Sequence, residues 1–231
     1  MNEPLAPAST GHRPTGSVVA AFPTLIGQFV LPGTASVDAA ITEEIRRRMA
    51  ETASRDFANV GGWHSAPDLL DWPGDAFVTL RSWISAGLSE MVSASARLPE
   101  ARLPAGGLRG SFSISAWANV AARGHYHRTH NHPGSAWSGC YYVTGVPPDD
   151  NSAHAPPQSG GPLAGLLELQ DPRPFTEMLD VPAAPYGQRM LIRPQPGLLV
   201  LFPGWLYHFV HPHAGDAPRI SIAFNARWNP A

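Results

Sequence analysis

Two hydrophobic periodicities divide the chain. From Ser36 to about Ala53, Val37, Ala40, Ile41, Ile45 and Met49 recur at helical spacing while Glu43, Glu44 and Arg46 to Arg48 fill the other positions, which predicts an amphipathic helix with a charge-paired, solvated face. A second helix is expected to open at Pro73, where a missing N–H costs nothing, and to run to about Ser95 on a stripe of Phe77, Leu80, Ile84, Leu88, Met91 and Val92. Beyond a linker at 98–110 the period shortens to two. Ser111 to Val120 alternates, with Phe112, Ile114, Ala116 and Ala118 on one face and Ser113, Ser115, Trp117 and Asn119 on the other, which is expected to line a pocket. Leu198 to Phe202 is a continuous apolar run between Gly197 and Pro203, as in a strand buried on both faces. Arg219 to Asn225 alternates again, setting Ile220, Ile222 and Phe224 against Arg219, Ser221 and Ala223. Shorter strands are expected within Val18 to Val30, at a sheet edge that tolerates Pro23, and at Leu163 to Leu169 and Arg189 to Arg193. Two helices followed by many short strands predict an α+β chain whose β part is an antiparallel, barrel-like sandwich.

The rest of the chain organises around these elements. Residues 1–16 read as a loose tail and 17–231 as a single domain, with a helical cover at about 36–96 and a β core at about 110–228. Gly61 to Ser65 and the Pro-, Asp- and Ser-rich stretch from Thr144 to Pro162 read as loops, the latter at the mouth of the site or exposed elsewhere. The 25 prolines and 22 glycines among 231 residues fit a chain of short strands and many turns. A net charge of −2 leaves no electrostatic footprint for nucleic acid or an anionic membrane. The first residues lack a basic n-region and an apolar h-region and no apolar run approaches spanning length, so neither export by that route nor membrane insertion is expected; Cys140, the one cysteine, cannot form an internal disulfide, and a cytoplasmic location is expected. The expected partner is a small-molecule or protein substrate, with neither nucleic acid nor membrane involved; a homodimer is compatible with the sequence.

The candidate chemistry lies in Gly124 to Pro133, where four of the ten histidines (His125, His127, His130 and His132) fall within eight residues. Imidazole suits iron, copper, nickel and zinc, so the density favours a transition metal over calcium or magnesium. If extended, 130–132 places His130 and His132 on one face, and His125 and His127 share a face too, with Arg128 and Thr129 positioned to break the register between the pairs. Pro133-Gly134 predicts a turn. His208, after the apolar run and a short turn, offers a third ligand. His125 and His127 read as exposed polar residues at a strand end, with His127 the alternative to one of the pair; His64 and His154 read as surface residues, and His211 and His213 as solvent-facing. Trp205 and Tyr207 either wall the pocket or belong to core, and Cys140 reads as a small buried residue.

The order His130-x-His132, Ser138-Gly139-Cys140-Tyr141-Tyr142-Val143, His208 and Arg219-x-Ser221 resembles the 2-oxoglutarate- and Fe(II)-dependent oxygenases, in particular a bacterial and phage branch. The resemblance covers roughly 110–228. It implies a double-stranded β-helix (jelly-roll) core and an oxygenase that couples decarboxylation of 2-oxoglutarate to oxidation of an unknown substrate. It also implies Fe(II) on His130, His132 and His208, and 2-oxoglutarate held by Arg219 with Ser221 and a hydroxyl from Tyr141 or Tyr142. Trp117, Asn119 and Trp205 are the expected substrate-pocket residues. The chain departs from the commonest pattern, in which the second ligand is Asp or Glu; His132 there leaves the metal one unit more positive. Two alternatives stay open: a cupin-type three-histidine iron dioxygenase that uses no keto acid, although no Glu lies between Gly134 and Ser138, and a non-enzymatic metal-binding barrel.

Overall fold

The computed structural model describes residues 16–17, 21–99, 101–102, 104–105, 107–146, 163–175 and 189–231. Nearly all of the expected tail, most of the expected loop after Thr144, and His154 lie outside them. The described elements run β1 (Gly27–Val30), α1 (Ala35–Glu51), β2 (Asn59–Val60), β3 (Trp63–His64), α2 (Asp75–Ala96), β4 (Gly110–Ala121), β5 (Tyr126–His130), β6 (Trp137–Tyr142), β7 (Leu167–Gln170), β8 (Arg189–Ile192), β9 (Leu198–Pro203), β10 (His208–Val210) and β11 (Arg219–Pro230), with a 3-10 turn at Leu69–Asp71. No helix among them is long and apolar enough to cross a membrane.

The strands form two antiparallel sheets, one ordered β1-β9-β6-β11-β4-β3 and the other β2-β5-β10-β7-β8. Together they make the jelly-roll core of an α+β fold. α1 and α2 cover the outer face of the larger sheet, where Ile41, Ile45, Leu80, Ile84 and Leu88 pack on Ala118, Leu199, Leu201, Ile222 and Phe224. A second apolar cluster, including Leu167, Leu169, Leu198, Val200 and Phe202, lies on the inner side. The run 198–202 thus divides by alternation between two cores, which is why it carries no polar position. β1, with its proline-bearing approach, takes the sheet edge.

Packing shifts the helix stripes from the simple pattern. In α1 the buried positions are Asp38, Ile41 and Ile45, whereas Ala40 is exposed and Met49 is 38% exposed. Asp38 belongs inside because it accepts hydrogen bonds from Thr34 Oγ1 and Tyr141 Oη, both at 2.6 Å. The Arg46 to Arg48 run is more than a solvated face: Arg47 and Arg48 pair with Glu44, and the Arg48 guanidinium lies 4.0 Å from the Trp72 ring centroid. α2 begins two residues after Pro73 and buries Phe77, Leu80, Ile84, Leu88 and Met91 as expected. The stretch 61–65 supplies the short edge strand β3 rather than a plain loop, and β3 pairs with β4 at Trp63–Val120 and His64–Asn119.

Candidate metal centre

A cavity of about 520 Å³ opens between the sheets. Alternation along β4 and β11 decides what enters it. Ser115, Trp117 and Asn119 from β4 and Arg219, Ser221, Ala223 and Asn225 from β11 line it, while the intervening residues face the helices. The two strands pair with Asn119 opposite Ser221 and Trp117 opposite Ala223, so both polar faces fall on one side.

His130 and His208 meet because β5 and β10 are neighbours in the smaller sheet with these residues in register. Their ring centroids are 4.2 Å apart. The register then shifts: Val210 faces His127, so two steps along β10 span three along β5. This bulge at Arg128 and Thr129 breaks the alternation at the expected place and brings His127 and His130, an odd number of residues apart, to the same cavity. His132 lies beyond the strand end, with its backbone N–H donating to Gly204 O at 2.7 Å. The chain turns behind it through Gly134, whose φ of +84° suits glycine. One ring nitrogen from each of His130, His132 and His208 lies within 4.8 Å of the others. Among the described residues no carboxylate joins this cluster.

Backbone carbonyls fix two of the rings. His130 Nδ1 donates to Arg128 O at 2.6 Å and His208 Nδ1 to Leu206 O at 3.0 Å, which leaves each Nε2 as the bare donor a metal requires. His132 Nδ1 lies 3.4 Å from the Asn225 amide, which also contacts Ser138 Oγ at 2.7 Å. Turning that amide over presents its oxygen to a protonated Nδ1 and its NH2 to Ser138, and frees Nε2 in the same way. All three rings are held neutral. Burial, then the neighbouring His130, lowers His208 to about 3 and His132 to about 4; burial is the main cause for His130 too.

Arg219 is 2% exposed, and its Nη1 donates to Gly165 O at 2.8 Å. Its Nε is buried without a partner. Burial lowers its pKa, yet a guanidinium stays charged in proteins. A buried cation with a spare donor, facing a cavity, fits a carboxylate-bearing ligand. The Asn119 amide oxygen, also buried and unpartnered, marks a second unmet polar group on the same wall.

Several expected residues sit elsewhere. Tyr141 is excluded from the cavity: the two tyrosines alternate on β6, Tyr142 and Cys140 line the cavity, and Tyr141 points outward under α1 to Asp38. Trp205 is 50% exposed and outside the lining; only its backbone carbonyl reaches the neighbourhood, accepting from Asn131 Nδ2 at 3.3 Å. Cys140 is half-buried against the cavity, and desolvation pushes its thiol up to about 11. His64 is buried rather than a surface residue, with Nδ1 donating to Ser65 O at 2.7 Å and its ring stacked on Trp117 at 5.6 Å. His127 lines the cavity outside the three-histidine cluster, its ring 6.4 Å from that of His130. Burial, then Arg219, lowers its pKa to about 3. His211 bonds Glu168 at 2.9 Å, and His213 is 3% exposed with Nε2 on Ala217 O. The pairing of β3 with β4 that carries His64 inward left no sequence signal beyond the paired glycines before it.

Residues 115–225 match the family model described as "Putative 2OG-Fe(II) oxygenase". The fold is similar to a Pseudomonas putida prolyl-4-hydroxylase, at 18% identity over 88% of this chain and 92% of that one, with a TM-score of 0.52. It is also similar to SnoN, a non-heme α-ketoglutarate-dependent epimerase from nogalamycin biosynthesis, at 14% identity, 87% and 78% coverage, and a TM-score of 0.55. HygX from Streptomyces hygroscopicus, crystallised with nickel and 2-oxoglutarate, is similar at 10% identity, 87% and 82% coverage, and a TM-score of 0.51. No curated protein matches the chain by sequence.

Proposed function

We infer that this chain, which belongs through residues 115–225 to the 2-oxoglutarate- and Fe(II)-dependent oxygenases, oxidises a substrate held in the cavity between its two sheets. Its cofactors are Fe(II) and 2-oxoglutarate. The observation that carries the reading is the convergence of His130, His132 and His208, with one ring nitrogen each within 4.8 Å, in the same cavity as the buried, under-bonded Arg219. Three neutral imidazoles suit a ferrous ion, which His130, His132 and His208 would hold. When bound, the metal and keto acid supply the oxidative decarboxylation that drives substrate oxidation.

The protein's own residues do the rest. Arg219 binds and orients the distal carboxylate, since a guanidinium matches a carboxylate through a charge-assisted fork. Ser221 and Tyr142, on adjacent strands of the same wall, add hydroxyls beside it. The carbonyls of Arg128 and Leu206 hold His130 and His208 in the ligating tautomer. Leu167, Phe202 and Val210 keep water from the reacting centre. Residues 17–231 act as one unit, and the cytoplasm suits a chain of this composition.

Anaerobic protein given Fe(II) and 2-oxoglutarate should develop the visible charge-transfer band of a chelated keto acid, and should release succinate when air is admitted. A keto-acid-independent iron dioxygenase would show neither. His208→Ala should lose bound iron; retained metal would remove His208 from the ligand set.

A further inference from the structure

A line of aromatic rings leads from the surface to the metal cluster. Phe57, 61% exposed, lies 4.9 Å from the His64 ring; His64 lies 5.6 Å from Trp117, nearly parallel at 17°; and Trp117 lies 6.1 Å from the ligand His132. All four line the cavity. They come from the 52–58 segment, β3, β4 and the turn after β5, so no single helix or strand periodicity put them together.

The charge of the cavity is as one-sided as its rings. Among the described lining residues there is no Asp or Glu, and Arg219 is the single permanently charged side chain. Arg219 stands away from the rings: Ala223, the cross-strand partner of Trp117, is four residues along β11, roughly 13 Å at 3.3 Å per residue. The polar lining residues carried by the segments around the rings, Ser115, Asn59 and Asn131, are neutral.

Resting on the oxygenase reading above, we propose that the substrate is an uncharged, flat ring compound bearing hydroxyl or carbonyl groups, taken up along the Phe57, His64 and Trp117 rings and presented beside His132. Flat π-systems gain from stacked or edge contacts with such rings beyond simple area burial. A protonated amine finds no counter-ion in this lining and meets a divalent metal and Arg219 instead. An exposed Phe57 at the head of the line gives an arriving ring its first contact.

The test uses the full chain with Fe(II) and 2-oxoglutarate under anaerobic conditions, with calorimetric titration of three probes of similar size: 2-naphthol, the 2-naphthylmethylammonium cation and the saturated alcohol decahydro-2-naphthol. 2-Naphthol should bind about tenfold or more tightly than either of the others, and Phe57→Ala and Trp117→Leu should each weaken it by about 2- to 10-fold. Phe57 is exposed, so its replacement does not endanger the fold, and Trp117→Phe should recover most of the loss. Equal binding of the three probes, or 2-naphthol affinity indifferent to both variants, overturns the proposal. The keto-acid band is recorded on the same samples. The band without ring preference sinks this inference and leaves the oxygenase reading standing; ring preference without the band does the reverse.

Discussion

Replacing Arg219 tests the site most directly, because the proposed role predicts a large effect on ligand binding and a small one on stability. The residue is 2% exposed, and its guanidinium donates to Gly165 O and leaves Nε unpartnered. Arg219→Met keeps the length and the apolar packing while removing the charge. A hydrogen bond to a charged group contributes about 1.5–3 kcal/mol, so 2-oxoglutarate affinity should fall about 10- to 150-fold at 1.4 kcal/mol per tenfold. Arg219→Lys should fall between wild type and Met, having the charge without the planar fork. Anaerobic titration of the iron-loaded protein with 2-oxoglutarate, followed by its visible band, gives the keto-acid affinity, and metal analysis after dialysis gives iron retention. In the ligand-free protein a buried cation without a counter-ion is a cost, which offsets the loss of its bond to Gly165 O, so Arg219→Met should leave the melting temperature within a few degrees. Unchanged keto-acid affinity, a matching loss of iron, or a melting temperature several degrees lower would each refute the assignment of Arg219 as a ligand-binding rather than structural cation.

Other consequences are equally open to measurement. Tyr141→Phe removes one of the two hydroxyls that satisfy buried Asp38 and should cost about 1–3 kcal/mol in denaturant unfolding, with 2-oxoglutarate affinity unchanged; a lost keto-acid band would return Tyr141 to the site. His127, His132 and His208 have folded-state pKa values lowered to about 3, 4 and 3 from an unfolded value near 6.5, so below pH 6.5 the unfolded chain binds more protons than the native one. Metal-free protein should therefore lose stability steadily as pH falls from 6.5 towards 4, and a flat melting temperature between pH 7 and 5 would contradict their neutral burial. Gly139 on β6 has no room for a methyl group, since a Cβ there would lie 2.3 Å from Val200 O and 2.4 Å from the Phe224 ring. Gly139→Ala should destabilise by about 1–3 kcal/mol, and an unchanged unfolding midpoint would show that the strands can part without cost.

How much of this was legible in the chain depended on the range of the physics involved. Local periodicity was enough for both helices, for the two faces of β4 and β11, and for β9 as a doubly buried strand, because side-chain direction along one element follows from backbone geometry alone. The histidine pair, the distal histidine and Arg219-x-Ser221 stood out as residue types whose chemistry has few other uses. What the sequence left open were choices between equivalent neighbours. Either tyrosine of 141–142 could have faced the cavity, and only the register of β6 between β9 and β11, with Asp38 waiting under α1, sent Tyr141 outward. The burial of His64 needed β3 to pair with β4, and the convergence of His130 with His208 needed β5 and β10 to be neighbours with a bulge beside them. These are contacts between segments some 55 to 80 residues apart, and no pattern within a single segment encodes its partner. Residue types along the chain set which groups could do chemistry, and strand pairing selects those that share a cavity, because a one-residue change of register turns every side chain of a strand to the opposite face.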